Sequence, residues 1–489
     1  MLQVSSLSEA AGSLLREDLY IDGRWTHGDG APVAVHNPSS GDLLASVASA
    51  SAPQVELAID VAKRALRDWS RLLAKERAAI LRRWYELIVE RANELARIVT
   101  AEQGKPLAEA RGEVIYGAGF IEWFAEEAKR GYGDVVPTNV KDRRIVVIKQ
   151  PIGVCAAITP WNFPSAMILR KAGPALAAGC TMVLKPASET PLSALALAQL
   201  ADQAGIPAGV FNVVHGDPVE VGAVLTSHPD VRALTFTGST AVGKLLAAQC
   251  AGTVKRVLLE LGGNAPLIVF DDADIELAVA GAMASKFRNT GQTCVCANRI
   301  LVQSGIHDAF VQRLTEATAA LAVGDGSEPD VAQGPLITEE AVEKVEHHVA
   351  DALARGAHIE VGGQRHARGG RFYEPTVVTG AKPEMLLAKE ETFGPLAAVF
   401  RFETEADAVA LANDTDSGLS AYFFTRDLAR AWRVGEELEF GVVGINTGVI
   451  SSEAAPFGGV KESGLGREGS RHGLDDYLEL KYLCFEGIS

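Results

Sequence analysis

The sequence predicts an α/β protein of mainly parallel sheets with helices on both faces. Three observations predict it. Apolar residues recur at helical spacing from Pro53 to Lys105, short β-branched runs alternate with Ala/Leu-rich segments after Arg143, and the alternation resumes beyond Cys294.

In the first region Val55, Ile59, Val61, Ala62 and Leu66, then Ile80, Leu81, Trp84, Leu87 and Ile88, read as two long amphipathic helices. The middle region reads as strands RIVVIKQ, IGVCAAIT, TMVLKP, VFNVVHG, ALTFTGS and PLIVF, separated by helical segments such as ALAAGC and LSALALAQLADQAG. Strands alternating with helices imply βαβ units. Beyond Cys294 come RILVQ, a helical run to about residue 357, and later AYFFTR and VVGIN, which make a second α/β unit. The boundary is expected in the LGGN turn, residues 261–264, and HARGGR and GDGSEPD read as surface loops. No internal repeat, low-complexity tract or long Pro/Ser linker interrupts the pattern. Such two-domain chains hold their ligands in the cleft between domains.

A length of 489 residues suggests about three domain-sized units, and 47% hydrophobic with 22% charged residues places the chain among soluble globular proteins. The formal charge of −16, with no basic run, argues against nucleic acid or an anionic membrane as partner. The N-terminal stretch lacks a basic segment followed by an apolar core, and no apolar run is long enough to span a bilayer, so a cytoplasmic location is expected. The cysteines Cys155, Cys180, Cys250, Cys294, Cys296 and Cys484 are too sparse and irregular for a disulfide framework.

Cys294 and Cys296 lie one residue apart behind a Gly-Gln-Thr turn. The histidines include no i, i+4 pair, so no metal is expected. Cys294 is then either a small buried hydrophobe or a nucleophile. After the turn at Gly291 its thiol is expected near backbone N–H groups that lower its pKa. Glu260 ends an apolar run immediately before Gly262 and Gly263, at a strand's C-terminal edge. There it serves as a general base with a pKa raised by burial, or caps the turn. In ITPWNFP, Asn162 lies between two prolines that stiffen the loop; its amide either donates to an oxyanion or closes an Asx-turn. Lys185 and Ser188 end one strand, while Gly238, Ser239 and Gly243 open a helix whose N-terminus suits phosphate. The spacing is G-x-x-x-x-G rather than the dinucleotide fingerprint G-x-G-x-x-G.

Taken in order, PWNFP, KPAS, FTGST, ELGGN, GQTC, EETFGP and PFGGVKESGLGRE resemble the aldehyde dehydrogenase superfamily from about Tyr20 to Lys481. The resemblance implies two Rossmann-like, doubly wound domains and a small bridging β-element. Residues 1–128 and 152–261 would bind NAD(P), 262–462 would form the catalytic domain, and 129–151 with 463–489 would form the bridge. It also implies oxidation of an aldehyde to a carboxylate, with Cys294 as nucleophile and Glu260 as general base. Asn162 and the Cys294 backbone N–H would hold the oxyanion. Lys171 and Glu468 match positions linked to proton handling or to a plain ion pair. Trp161, Glu391 and Phe393 match the nicotinamide site. Ser188 stands where NAD-preferring relatives often carry Glu, and with Lys185 nearby this favours NADP, with NAD possible; Glu189 works the other way.

Within the superfamily, MILRKAGPALAAGC, FRNTGQTCVCANR, NTGVISSEAAPFGG and YLELKYLC are most similar to the succinate-semialdehyde dehydrogenase subfamily. That likeness implies Arg170, Arg288 and Ser451 holding the substrate's distal carboxylate, each charged hydrogen bond contributing about 1.5–3 kcal/mol. Either arginine could instead pair with an acidic neighbour. Cys296 would be a reversible disulfide partner of Cys294, or merely structural. Other readings are a dehydrogenase for glutarate semialdehyde or another ω-carboxy aldehyde, and a non-catalytic binding protein on the same fold. Dimers or tetramers are expected, paired through edge strands around RIVVIKQ and LELKYLC.

Overall fold

The computed structural model describes residues 12–487. Its first sheet has eight strands in the order Arg24–Thr26, Leu19–Ile21, Phe211–Val213, Thr181–Lys185, Val154–Ile158, Val231–Thr237, Arg256–Glu260 and Gly464–Leu465. The five from Phe211–Val213 to Arg256–Glu260 are parallel. Val154–Ile158 is the earliest of them in the chain, and later strands add first on one side of it and then on the other. A crevice therefore opens beyond the C-terminal ends of Val154–Ile158 and Val231–Thr237, where ligands of open α/β sheets bind.

Burial on both faces explains the continuous apolar runs of these strands. One core, with Trp69, Trp84, Phe120, Phe124 and Leu195, packs on one face; Ile59, Val183, Leu234 and Leu259 belong to a second core. The helix Ala166–Ala178 is buried along its whole length, including Arg170 and Lys171.

A second sheet runs His358–Val361, Thr376–Thr379, Leu396–Phe402, Ala297–Gln303, Ala265–Val269, Ser420–Phe424 and Val442–Ile445, parallel except for the first pair. Residues 261–264 carry the chain from the C-terminal end of Arg256–Glu260 straight into Ala265–Val269. The exit edge of the first sheet thus meets the entry edge of the second, and Cys294 lies just before the strand Ala297–Gln303.

A third, antiparallel sheet comprises Asp134–Val136, Arg143–Pro151 and Leu478–Glu486. Here the structure corrects an expectation: RIVVIKQ is the central strand, paired from Arg143 with Glu486 to Pro151 with Leu478, so only LELKYLC and Asp134–Val136 present edges. Gly464–Leu465 leaves this region and pairs with Arg256–Glu260 in the first sheet.

The two long helices expected before Lys105 are three, Ala52–Trp69, Ala74–Glu90 and Ala92–Gln103; Arg91 leaves helical geometry at φ −99°, ψ 16°. The helical run expected to reach residue 357 is His307–Ala319 and Glu339–Ala354. Between them the chain needs glycine for close approach: a Cβ on Gly334 would stand 2.2 Å from the Gly104 carbonyl oxygen. No helix among the described residues is long and apolar enough to cross a membrane.

Candidate active site

The turn before Cys294 is strained. Asn289 and Thr290 adopt φ of 51° and 56°, a left-handed conformation that costs a non-glycine residue about 1–2 kcal/mol. Gly291 follows at φ 75°, and a Cβ there would meet the Gly394 carbonyl oxygen at 2.1 Å. Hydrogen bonds from distant segments hold this shape. The Asn289 N–H donates to Glu109 Oε2 at 2.8 Å, Thr290 Oγ1 to the Gly334 carbonyl at 3.2 Å, and the Ile337 N–H to Gln292 Oε1 at 3.0 Å.

Cys294 consequently sits half-buried where two cavities meet. The first, about 320 Å³, is lined by Glu109, Tyr116, Arg170, Arg288, Ser451 and Phe457 among others. The second, about 280 Å³, is lined by Trp161, Asn162, Gly238, Ser239, Glu260, Glu391 and Phe393 among others. Cys294, Phe163 and Met167 belong to both.

The thiol is not the low-pKa group that the turn suggested. Burial pushes Cys294 up to about 12, with the Arg170 guanidinium acting against it and Glu391 and Glu260 adding to the rise. Burial, and then Glu468, likewise raise Glu260 well above the usual carboxylate range, and Glu260 Oε2 has no hydrogen-bond partner among the described residues. Burial also works to raise Glu468, but Lys171 at 2.6 Å and Arg170 at 2.8 Å outweigh it and hold that carboxyl low. The two carboxyls are thereby driven apart, Glu468 toward the ionised form and Glu260 toward the neutral one.

Asn162 is fixed at both ends. Its Nδ2 donates to the Gln292 carbonyl at 3.0 Å, leaving a second amide hydrogen for a ligand. Its backbone carbonyl accepts from Lys105 Nζ at 2.6 Å and Asn289 Nδ2 at 3.0 Å. Lys105 is fully buried against Glu113 at 2.6 Å, and Glu113 Oε1 accepts from the backbone N–H groups of Ser165 and Ala166 at 2.8 and 3.1 Å. Those groups open the helix that carries Arg170 and Lys171, so one ion pair ties the Asn162 loop to that helix.

Sequence reading missed Lys105, Glu109, Glu113 and Tyr116. A signal was present: Glu109, Glu113 and Tyr116 fall at i, i+4 and i+7 of one helix, Leu107–Glu127, making a polar stripe where apolar residues were expected. The two arginines differ. Arg170 is committed to Glu468, stacked 4.2 Å from the Phe457 ring centroid and 5.3 Å from that of Phe120, although its Nε has no partner among the described residues. The Arg288 guanidinium lies 5.3 Å from the Phe163 centroid and makes no ion pair among the described residues. Ser451 stands beside the Tyr116 hydroxyl.

A family model described as the aldehyde dehydrogenase family matches residues 25–483. The chain belongs to this family. It is 61% identical over 476 residues to a glutarate-semialdehyde dehydrogenase of Pseudomonas aeruginosa, covering 97% of this chain and 99% of that one. It is also 61% identical over 473 residues to the NADP-dependent succinate-semialdehyde dehydrogenase of Escherichia coli, covering 96% and 98%. The crystal structure of a succinate-semialdehyde dehydrogenase from Burkholderia pseudomallei superposes with a TM-score of 0.96 at 60% identity, covering 97% of this chain and 99% of that one.

In this aldehyde dehydrogenase the second cavity fits a nicotinamide coenzyme. Its floor is backbone that side chains would fill: a Cβ on Gly238 would lie 2.4 Å from the Phe236 ring, and one on Gly262 2.9 Å from Glu391 Oε2. Ser239 caps the helix Thr240–Ala251, whose N-terminal N–H groups suit a phosphate. Glu391 accepts from the Gly263 N–H at 3.2 Å, and burial pushes its carboxyl up to about 7. Phe393, at φ 55°, meets Trp161 edge-on at 5.6 Å. Lys185 and Ser188 do not line this cavity. Lys185 ends the neighbouring strand and Ser188 follows it; burial lowers the Lys185 ammonium to about 8 and its Nζ donates to the Pro186 carbonyl at 3.1 Å. Lys344, which donates to the Glu391 carbonyl at 2.6 Å, lines the cavity and was not foreseen. Cys296 lines neither cavity; its buried thiol donates to the Lys286 carbonyl at 3.4 Å.

Proposed function

We propose that this aldehyde dehydrogenase oxidises succinate semialdehyde to succinate, with NADP as the preferred coenzyme. The observation that carries the substrate reading is the arginine-lined cavity that shares Cys294 with the coenzyme cavity. A carboxylate tail fits Arg288, Ser451 and the free Nε of Arg170.

In that pose Cys294 Sγ adds to the aldehyde carbon, and its proton passes to Glu260 once that carboxyl is ionised. The Asn162 amide and the Cys294 N–H hold the resulting oxyanion. The chemistry supplied by the bound nicotinamide is hydride acceptance. Glu260, once it has released the thiol's proton to solvent, takes a proton from water, which attacks the thioester carbon and frees the Cys294 sulfur as the carboxylate leaves. Glu468, held by Lys171 and Arg170, keeps a fixed negative charge behind Glu260. Trp161, Glu391 and Phe393 would hold the nicotinamide end; Lys185 and Ser188, one strand further out, would receive the adenosine ribose and its 2′-phosphate. NAD is the alternative coenzyme.

Glutarate semialdehyde is the second reading, favoured by an equal identity to a relative bearing that name. Residues 1–128 with 152–261 serve as the coenzyme domain, 262–462 as the catalytic domain, and 129–151 with 463–489 as the bridge. Dimers or tetramers form through the third sheet, a reading supported by Val135, Leu480 and Tyr482 at 79%, 70% and 60% exposure. A cytoplasmic location is supported by six cysteines that are all free thiols. The test is a panel of four- and five-carbon semialdehydes and uncharged aldehydes against NADP and NAD, followed at 340 nm. The highest kcat/KM is expected for succinate semialdehyde with NADP; a higher value for an uncharged aldehyde, or with NAD, overturns the corresponding half.

A further inference from the structure

The head-group cavity contains an acid that neither the reaction nor carboxylate recognition requires. Glu109 lines it together with Arg288, and the ring of Phe163, also in the lining, lies 5.3 Å from the Arg288 guanidinium carbon and 3.8 Å from Lys105 Nζ. Counting charges around the cavity explains why it matters. Arg170 and Lys171 share Glu468 at 2.8 and 2.6 Å and Lys105 pairs with Glu113 at 2.6 Å, which leaves Glu109 as the carboxylate of the lining without an ion pair of its own among the described residues, under the pull of Lys105 and then of Arg288. With Glu109 ionised, part of the attraction that Arg288 offers an incoming anion is therefore cancelled.

We propose that Glu109 is a specificity-determining residue of this site: its carboxylate lies in the arginine-lined cavity that the substrate's own would enter, and it is neutralised when an ω-carboxy aldehyde binds. The inference rests on the ω-carboxy reading given above. Its physical basis is that a second carboxylate brought into the same half-buried pocket raises the pKa of the first, so that one of the two takes up a proton more readily. Burial already raises the Glu109 carboxyl, against the pull of Lys105, the Asn289 N–H and Arg288 and with the push of Glu113. Protonated, Glu109 donates a hydrogen bond to the bound carboxylate instead of repelling it. An uncharged aldehyde has no such conflict, so Glu109 sets how strongly the site favours a charged tail, and makes that preference fall as pH rises.

Glu109→Gln tests this, because the amide oxygen preserves the acceptor for the Asn289 N–H at 2.8 Å that holds the strained turn. KM is measured for succinate semialdehyde and for butanal, its uncharged four-carbon counterpart, from pH 6 to 9. In the wild type the ratio of the two KM values is expected to rise with pH. In Glu109→Gln the ratio is expected to be flat, and at pH 9 KM for the semialdehyde about fivefold to tenfold lower than in the wild type with that for butanal unchanged. A wild-type ratio that favours the semialdehyde but does not move with pH overturns the proposal, and this arm needs no variant. Equal changes in both KM values of the variant also overturn it, since they report a disturbed turn. A wild type with no preference for the semialdehyde at any pH removes the ω-carboxy reading itself.

Discussion

Lys105→Met is the most informative single change in the scaffold of the site. The side chain is fully buried, lies 3.8 Å from the Phe163 ring centroid, and makes two contacts of 2.6 Å, to Glu113 Oε2 and to the Asn162 carbonyl. Methionine keeps the volume and removes the charge. Breaking a buried ion pair by deleting one partner costs about 3–5 kcal/mol. The lower end applies here, because Glu113 retains the Ser165 and Ala166 N–H groups and the Asn162 carbonyl retains Asn289 Nδ2. At roughly 2–4 °C per kcal/mol for domains of this size, the Tm should fall by about 6–12 °C. Complete loss of an oxyanion donor costs about 10²–10³ in kcat, which Asn162→Ala should show. In Lys105→Met the donor is present but its loop is looser, so kcat should drop by about tenfold to a hundredfold while KM for the aldehyde stays within about twofold. Calorimetry and a steady-state assay at 340 nm on both variants decide it. A wild-type kcat in a protein that has lost several degrees of Tm would refute the positioning role, and an unchanged Tm would refute the charge argument.

Three further outcomes follow from the electrostatics and the thiols. Alkylation of Cys294 by iodoacetamide in the coenzyme-free enzyme should accelerate about tenfold per pH unit from 7 to 9, because burial holds the thiol near 12; a plateau below pH 8 contradicts that account. Glu391, pushed up to about 7, is a neutral acid below that pH and an ionised acceptor above it, so the coenzyme KM should fall between pH 6 and 8. Glu391→Gln should flatten that profile, and an unaltered slope in the variant assigns the titration elsewhere. Cys296→Ala should leave kcat unchanged but abolish recovery by dithiothreitol after peroxide treatment if Cys296 is a disulfide partner of Cys294; equal recovery in both proteins makes Cys296 structural.

Legibility in the sequence followed the range of the interactions. Strands with period-two or continuous apolar character, and helices with a 3.6-residue stripe, declare themselves locally, so the two parallel sheets could be read. Asn162, Glu260 and Cys294, which line one cavity, could be singled out as well, because each sits in a short motif whose turn chemistry is local. RIVVIKQ was read as an edge because its second partner, Leu478–Glu486, lies more than 300 residues away and leaves no local trace. The thiol of Cys294 was read as acidic because its turn is visible in sequence, whereas the burial that raises it comes from many separate segments. Arg170 was legible as a cation, but not its commitment to Glu468, an ion pair that closes across 298 positions of chain. Glu109 and Glu113 were passed over because a single acidic residue on a helix is ordinary; only their common face with Tyr116 distinguishes them.

Residues 261–264, running from the end of a strand of the first sheet to the start of a strand of the second, divide the site between the two. Cys294, Glu391 and Phe393 lie just before strands of the second sheet, while Asn162, Glu260, Gly238 and Ser239 lie at the C-terminal ends of strands of the first. The gap across which bonds form is therefore set by how one layer leans on the other, and a lean of about one ångström is enough to cost a hundredfold in rate. Packing along that seam, at Gly262 under Glu391 and Gly263 against the Cys294 carbonyl, acts as the spacer for the chemistry. A methyl group added at either glycine would wedge the layers apart without touching any reacting atom.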